Sequence, residues 1–345
     1  MNVRFLSRSA VAVVCVGLFC SQTMCAISFG KKDGVDVKIV NGGPLKHKSI
    51  LAIGAFRVAF KTHDKVVATG GGIMNHGSGS SSIQEASMEG IEQPLMQKIA
   101  DQIYADFVAQ ATAKGYTIID SAKLAGSNAE YKNLAMTANF TDGPLGTFVV
   151  PTGQVSPVLA TDDYKQENHG TRGFGAAFKG IGSQMSTTEA NKVFPKVGKE
   201  TDAAVIAVTI VVNFATFKGS QSAWMSGSKS SSNFGATIEG VDDLLMGTNI
   251  KAWDAKTNGC GNCMAHAYLK GNIHSTESIG EMTSHKANTT GDNVGNVLAG
   301  LTGSGSMTKR KSLTLTADPD AYQKNVLLVA QQAHEMLLSE IVKEK

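Results

Sequence analysis

The stretch that decides the fold runs from Ser49 to Phe60 and reads SILAIGAFRVAF. Its apolar residues form a nearly continuous run, with Ile53, Phe56 and Val58 at its centre. A run of this length and composition is typical of a strand that is buried in the middle of a sheet. We therefore predict a central strand here and extend the prediction outward along the chain.

The segment that follows predicts a β-α-β unit. From Pro94 to Lys114 apolar residues recur at helical spacing and polar residues fill the other face, which is typical of an amphipathic helix. Pro94 is compatible with the first turn, and Gly115 provides a cap. Tyr116 to Asp120 (YTIID) then favours a second strand.

The rest of the chain predicts further strands and a final helix. The β-branched run from Ala203 to Phe217 predicts a core strand, and Leu244–Asp254 and Ala265–Thr276 predict an antiparallel hairpin. Asp318 and Pro319 begin a C-terminal helix of about 24 residues. The fold class is therefore α/β: a mixed sheet with packing helices, a β-α-β unit, hairpin strands and long Gly/Ser-rich loops.

Three low-complexity segments are predicted to be flexible loops, at residues 69–82, 219–233 and 284–306. The second contains Trp224 and Met225, an apolar pair among Gly and Ser residues. Such a pair either folds back on the core or contacts a membrane or a partner. Residues 125–182 form a further insertion, so residues 27–345 are expected to be a single domain with insertions at about 125–182, 219–233 and 284–306.

Composition excludes two classes of protein. With 42% hydrophobic residues the chain is too apolar to be disordered throughout. The formal net charge is +3, and without Arg4 and Arg8 there remain 30 basic against 29 acidic residues. A nearly neutral chain without a basic cluster does not bind nucleic acid well, so we expect no nucleic-acid partner.

The first 26 residues predict a signal peptide. Arg4 and Arg8 precede eleven apolar residues, 10–20, and small residues follow up to Ala26. Eleven residues are too few to span a bilayer, which needs about 20. A retained anchor and lipidation at Cys25 are the alternatives, and the residues before Cys25 do not fit a lipidation site. We expect an exported protein of the periplasm or outer membrane.

After cleavage only Cys260 and Cys263 remain, separated by Gly261 and Asn262. In an oxidising compartment this spacing favours a disulfide across a tight loop. Redox catalysis would require the motif at the start of a helix, and a metal site would require ligands beyond nearby His266. We expect neither, and no metal or other cofactor.

Catalytic patterns are missing from the sequence. It lacks Gly-x-Ser-x-Gly, His-Glu-x-x-His and the phosphate-binding Gly-x-x-x-x-Gly-Lys. The acidic pair Asp162–Asp163 favours a turn, and His334 is expected to be solvated on the polar flank of the last helix. His266 and His274 are expected on one strand, too far apart to share a metal. We therefore predict no catalytic residues and a protein that is not an enzyme.

The order of these elements resembles that of CsgG-like proteins, a family that includes the curli secretion channel and envelope domains like the amino-terminal domain of TolB. The similar residues are the opening strand 49–60, the helix ending in Gly115-Tyr116-Thr117-Ile118-Ile119-Asp120, and Thr201-Asp202-Ala203-Ala204-Val205-Ile206. The resemblance covers about 170 residues. It implies an envelope α/β domain without conserved catalytic residues, and a homo-oligomer.

The resulting functional prediction is a non-enzymatic, exported cell-envelope protein. It would act as an assembly or secretion-associated module, in an oligomeric ring at the outer membrane or with other envelope proteins. Two alternatives remain. One is a soluble periplasmic ligand-binding or adhesin-type protein. The other is a secreted enzyme in which Cys260/Cys263 or Asp162/Asp163 meet a histidine.

Overall fold

The structure, a computed structural model, describes residues 35–71, 79–143, 145–159, 189–221, 228–241, 247–258, 263–286 and 307–345. The strands are β1 (Asp36–Val40), β2 (Ile50–Phe60), β3 (His63–Gly71), β4 (Gly79–Glu89), β5 (Thr117–Ile119), β6 (Phe140–Gly143), β7 (Gly146–Val149), β8 (Ala204–Gln221), β9 (Ser228–Ile238), β10 (Asn249–Trp253), β11 (Ala265–Lys270), β12 (Ile273–His274), β13 (Gly280–Lys286) and β14 (Met307–Ala317). The helices are α1 (Gln93–Ala113), α2 (Ser121–Ser127), α3 (Ala129–Lys132), α4 (Glu189–Thr201) and α5 (Pro319–Lys343).

The strand predicted from residues 49–60 lies inside the larger of two sheets. This main sheet has the order β1-β11-β10-β8-β2-β7-β6. β2 pairs in parallel with β8, from Leu51 opposite Ala204 to Phe60 opposite Val212, and in parallel with β5. The predicted β-α-β unit is therefore confirmed as β2, α1 and β5, and the predicted hairpin is confirmed as β10 and β11. The mixed α/β fold class is likewise confirmed.

Helices cover both faces of the main sheet. On one face α1 and α5 bury large side chains, among them Phe107 and Leu337, against β2 and β8. On the other face Tyr131 of α3 and Phe194 of α4 pack over the alanines of β2. Each large apolar side chain that is fully buried contributes about 1.5–3 kcal/mol, so this packing explains the nearly continuous apolar sequence of the central strands, in which Arg57 and Asn213 are buried exceptions.

The helix ends follow the predicted chemistry. Gly115, which follows α1, has φ +83°, a backbone conformation that glycine adopts without strain. At the start of α5 the Asp318 carboxylate accepts hydrogen bonds from the backbone N–H groups of Asp320 and Ala321, at 3.0 and 2.9 Å. These contacts fix both long helices at the boundaries that the sequence predicts.

A bulge at Gly54 allows β2 to place large side chains on one face along most of its length. The pairing of β2 with β8 shifts between Ile53 and Ala55. Before the bulge Ile53 faces α1 and α5, and after it Phe56 does so, because the extra residue changes the alternation. Small residues, Ala52 and Ala55, face the other helices.

The second sheet, which we call the hairpin sheet, has the order β13-β14-β4-β3. It corrects the prediction of flexible loops at residues 69–82 and 219–233. Residues 69–71 and 79–82 belong to β3 and β4, β8 continues to Gln221, and β9 begins at Ser228. The hydrogen bonds between strands join backbone groups, which Gly and Ser provide as well as other residues do. Pairing with neighbouring strands therefore produces strands here although the composition is typical of loops. At 284–306, residues 284–286 belong to β13, and 287–306 lie outside the described residues.

Part of the insertion predicted at residues 125–182 also belongs to the core. β7 pairs with β2 and β6 pairs with β7, so this segment extends the main sheet. Residues 154–159 contribute only an isolated bridge between Pro157 and Met136. Proline has no N–H to donate, which limits a ladder there.

Candidate functional site at the ends of the hairpins

β8 carries the chain out of the main sheet. It is 18 residues long, but β2 accompanies it only as far as Val212. From Asn213 to Gln221 it pairs with β9, and β3 lies in contact with both strands. The far halves of β8 and β9 therefore run beside the hairpin sheet.

The outer ends of the hairpin sheet lie together. Gly71 of β3 is paired with Gly79 of β4, so residues 72–78 connect these strands at that end. β14 runs parallel to β4, with Met307 opposite Ser80, and β13 runs toward the same end but stops at Lys286, opposite Lys311. Gly71, Gly79 and Met307, which flank the segments 72–78 and 287–306, therefore lie at one end of the sheet.

The residues predicted to make membrane or partner contacts fall between β8 and β9. Trp224 and Met225 lie outside the described residues, and their nearest described neighbours are Gln221 and Ser228. The prediction for this pair stays a prediction.

A buried asparagine joins the projecting strands to the core. Asn213 is 1% exposed and sits where the pairing of β8 with β9 shifts at a bulge, with the extra residue on β9. Its side-chain oxygen accepts hydrogen bonds from the N–H groups of Phe214 and Ala215, and its amide donates to Asp64 of β3 at 2.8 Å. The bulge on β9 lies opposite this asparagine, and the Asp64 contact ties the hairpin sheet to β8 at the same point.

A histidine stands beside this joint. His274 Nδ1 lies 3.0 Å from the hydroxyls of Thr216 and of Thr237, so its ring links β8 to β9 and β12. The expectation that His266 and His274 share one strand is wrong. Gly271, with φ +93°, and Asn272 separate β11 from β12.

His266 is held neutral by its surroundings. It lies on β11 beside the ring of Tyr268, 4.9 Å away between centroids. Burial, and secondarily the charge of Lys251, lower the pKa of His266 to about 3. Its buried Nε2 has no hydrogen-bond partner among the described residues. At neutral pH this ring is an uncharged side chain of the sheet.

His334 corrects another prediction. Instead of being solvated, its side chain is 0% exposed, and its Nδ1 lies 2.7 Å from Asp106 Oδ2 on α1. The ring of Phe107 packs edge-on against it at 5.4 Å. The polar flank of α5 faces α1 here, so this histidine forms a hydrogen bond that joins the two helices.

The residues considered for metal or redox chemistry are described only in part. No group of three or more His, Cys, Asp and Glu side chains that could hold a metal ion occurs there. Cys263 precedes β11, whereas Cys260, Asp162 and Asp163 lie outside the described residues. The predicted disulfide therefore stays a prediction. Within the described ranges no helix is both long and apolar enough to cross a bilayer.

A cavity of about 530 Å³ lies between α3 and α4. Leu134, Pro157, Ala190 and Val193 form part of its apolar lining. At its rim Lys196 pairs with Glu130, 2.8 Å away. Cavities of this volume are in the range that binds small molecules.

The sequence alone did not reveal the Asn213–Asp64 joint. The signal was present, because Asn213 is the single amide within the β-branched run from Ala203 to Phe217. An amide inside such a run requires a hydrogen-bond partner or a bulge, and the structure contains both.

Comparisons with protein-family models, with curated proteins and with solved structures find no match to this chain.

Proposed function

We propose that the chain is a non-enzymatic, exported cell-envelope protein that acts as an assembly or secretion-associated module. It works as a homo-oligomer, in a ring at the outer membrane. The observation that carries this proposal is the gathering of hairpin ends on one side of the hairpin sheet. The leader-like first 26 residues and the resemblance to CsgG-like proteins support it.

The geometry suits contact rather than chemistry. The helical layers and the main sheet hold most of the buried core, whereas β3, β4 and β14 of the hairpin sheet contain many Gly, Ser and Thr residues. In such an arrangement the paired strands form a rigid scaffold, and the segments that connect them are where binding residues commonly lie. In this proposal Trp224 and Met225 make the apolar contact with a membrane or a partner.

Fractionation of the full chain tests the proposal. The native protein is extracted separately from the membrane and periplasmic fractions, and its size is measured by light scattering. We expect a large, detergent-dependent species in the membrane fraction. A monomer found only in the periplasmic fraction at all concentrations would contradict the proposal.

A double variant identifies the contact. Trp224→Ser with Met225→Ser should move the protein toward the soluble fraction. Val40→Ser is the matched control, because Val40 is an exposed apolar residue (38%) on β1, in the main sheet. If both variants move the protein to the soluble fraction to the same extent, the hairpin ends are not the site of the contact.

The cavity favours a second candidate, a soluble periplasmic ligand-binding protein. Leu134→Trp would fill this cavity, and an apolar fluorescent dye that binds the wild-type chain should then no longer bind. Unchanged dye binding would argue against this candidate.

A further inference from the structure

The edge of the hairpin sheet is exposed on both faces. β13 lies at the end of the sheet, and among the described strands it pairs with β14 alone. Each residue from Glu281 to Ser284 is exposed. A strand edge of this kind presents unpaired N–H and C=O groups to another chain.

One face of this edge carries an exposed apolar side chain beside buried ones. Met282 is opposite Leu315, and Ser284 is opposite Leu313, so these four residues share one face. Leu313 and Leu315 are 1% and 2% exposed, whereas Met282 is 52% exposed. The apolar face that covers β14 therefore continues onto β13 without a cover.

The backbone pattern shows which groups are free. Ile279, just before β13, accepts a hydrogen bond from the N–H of Asp318 at 2.9 Å, in register with the β13–β14 pairs. In an antiparallel ladder hydrogen-bonded residues alternate, so Glu281 and Thr283 bond toward β14. Met282 and Ser284 then direct their N–H and C=O groups away from it.

The sequence of this edge is complementary to itself. When two copies of GEMTSHK run antiparallel with Thr283 opposite Thr283, Glu281 of each copy is opposite His285 of the other. Met282 is then opposite Ser284, the two residues whose backbone groups are directed away from β14 and are unpaired among the described strands. A two-fold axis through the sheet keeps the same face of both copies on one side, so both exposed methionines extend one apolar surface.

We infer that β13 pairs antiparallel with β13 of a second copy of this chain, with Thr283 facing Thr283 across the two-fold axis. This inference rests on the self-assembly in the proposed function and names its contact. The pairing is two-fold, so it joins copies in pairs, and a ring requires a second surface. The occupant is a copy of the same chain because, in this register, Glu281 is opposite His285 and the backbone groups directed away from β14 match each other.

Cysteine cross-linking tests the register. Opposite residues in a non-hydrogen-bonded pair have Cα atoms about 4.5 Å apart, which a disulfide can span. Thr283→Cys in the full chain should therefore give an oxidised dimer on a non-reducing gel. Glu281→Cys is the matched control on the same strand face, because its two copies would lie about 14 Å apart. Equal cross-linking of both variants, or none with Thr283→Cys, would overturn the inference.

A proline variant tests the free edge. Ser284→Pro removes an N–H that is directed away from β14, so the fold should persist with an unchanged melting temperature. Self-association measured by light scattering should weaken at least about tenfold. If the wild-type chain forms oligomers but neither Thr283→Cys nor Ser284→Pro behaves as described, this contact is wrong while the proposed function stands. If the wild-type chain is monomeric in every fraction, both are wrong.

Discussion

The contact between Asp106 and His334 offers a quantitative test of how α1 and α5 are held together. His334 is completely buried, and its only hydrogen bond to a described residue joins Nδ1 to the Asp106 carboxylate at 2.7 Å. The side chain of Asp106 is 28% exposed and also accepts a hydrogen bond from Gln110. The perturbation is a double-mutant cycle with His334→Ala and Asp106→Ala.

The magnitudes follow from burial. His334→Ala removes the bond and leaves a cavity, which should lower the free energy of unfolding by about 2–4 kcal/mol. Asp106→Ala leaves both ring nitrogens buried without a partner and should cost about 1–3 kcal/mol. Because water can reach the free Asp106 carboxylate in part, we expect a coupling energy of about 1–2 kcal/mol, which is below that of a fully buried charged bond.

Urea denaturation of the four proteins measures the coupling. The control is a second cycle on the same helix pair, Lys114 with Glu335, whose atoms are 2.8 Å apart but whose Glu335 side chain is 60% exposed. That exposed ion pair should couple by about 0.5 kcal/mol or less. A coupling for Asp106 and His334 no larger than the control would refute the reasoning.

Acid should destabilise the protein through His266. Its folded pKa of about 3 lies below the ordinary 6.5, so the unfolded chain takes up the proton first and stability falls as the pH drops from 6.5 toward 3. Between pH 7 and pH 5, the free energy of unfolding of His266→Gln should fall by about 2 kcal/mol less than that of the wild type, as measured by denaturation. An equal fall in both proteins would contradict this role of His266. Gly54→Ala would place its Cβ 2.8 Å from a Val205 methyl and should cost about 1–3 kcal/mol by thermal melting. Gly43→Ala, with open space around it, is the control and should melt like the wild type. Asn213→Ala leaves two buried N–H groups unpaired, so it should lower the free energy of unfolding by about 1–3 kcal/mol and speed amide exchange in β3. Both effects should be larger than those of Asp64→Ala. The reverse order would contradict the role of Asn213 at the bulge.

The core of the fold could be predicted because its signals are local and strong. The run from Ser49 to Phe60 is apolar because both of its faces are buried, and the boundaries of α1 and α5 follow from Pro94, Gly115 and Asp318. These features depend on neighbours in the sequence, so spacing and capping residues reveal them.

The hairpin sheet could not be predicted in the same way. β3, β4, β9 and β14 contain many Gly, Ser and Thr residues, whose side chains give little periodic signal. Their strand structure comes from pairing with distant segments, for example β4 with β14, about 227 residues apart along the chain. Composition alone therefore indicated loops.

The contacts of single polar residues were also beyond the sequence. His334 occupies a position on α5 whose environment depends on how α1 crosses it, and nothing nearby in sequence indicates Asp106. Asn213 was visible as an amide in an apolar run, but its partner Asp64 lies 149 residues away. Such pairings become evident only when the topology is known.

The length of β8 has a mechanical consequence. One continuous strand connects the projecting hairpin to the centre of the main sheet, where β2 and β10 flank it. A pull on the outer end along β8 would load the hydrogen bonds to both neighbours at the same time, in shear, rather than opening them one after another. Tension from anything bound at the hairpin would thus reach the centre of the main sheet directly along one strand.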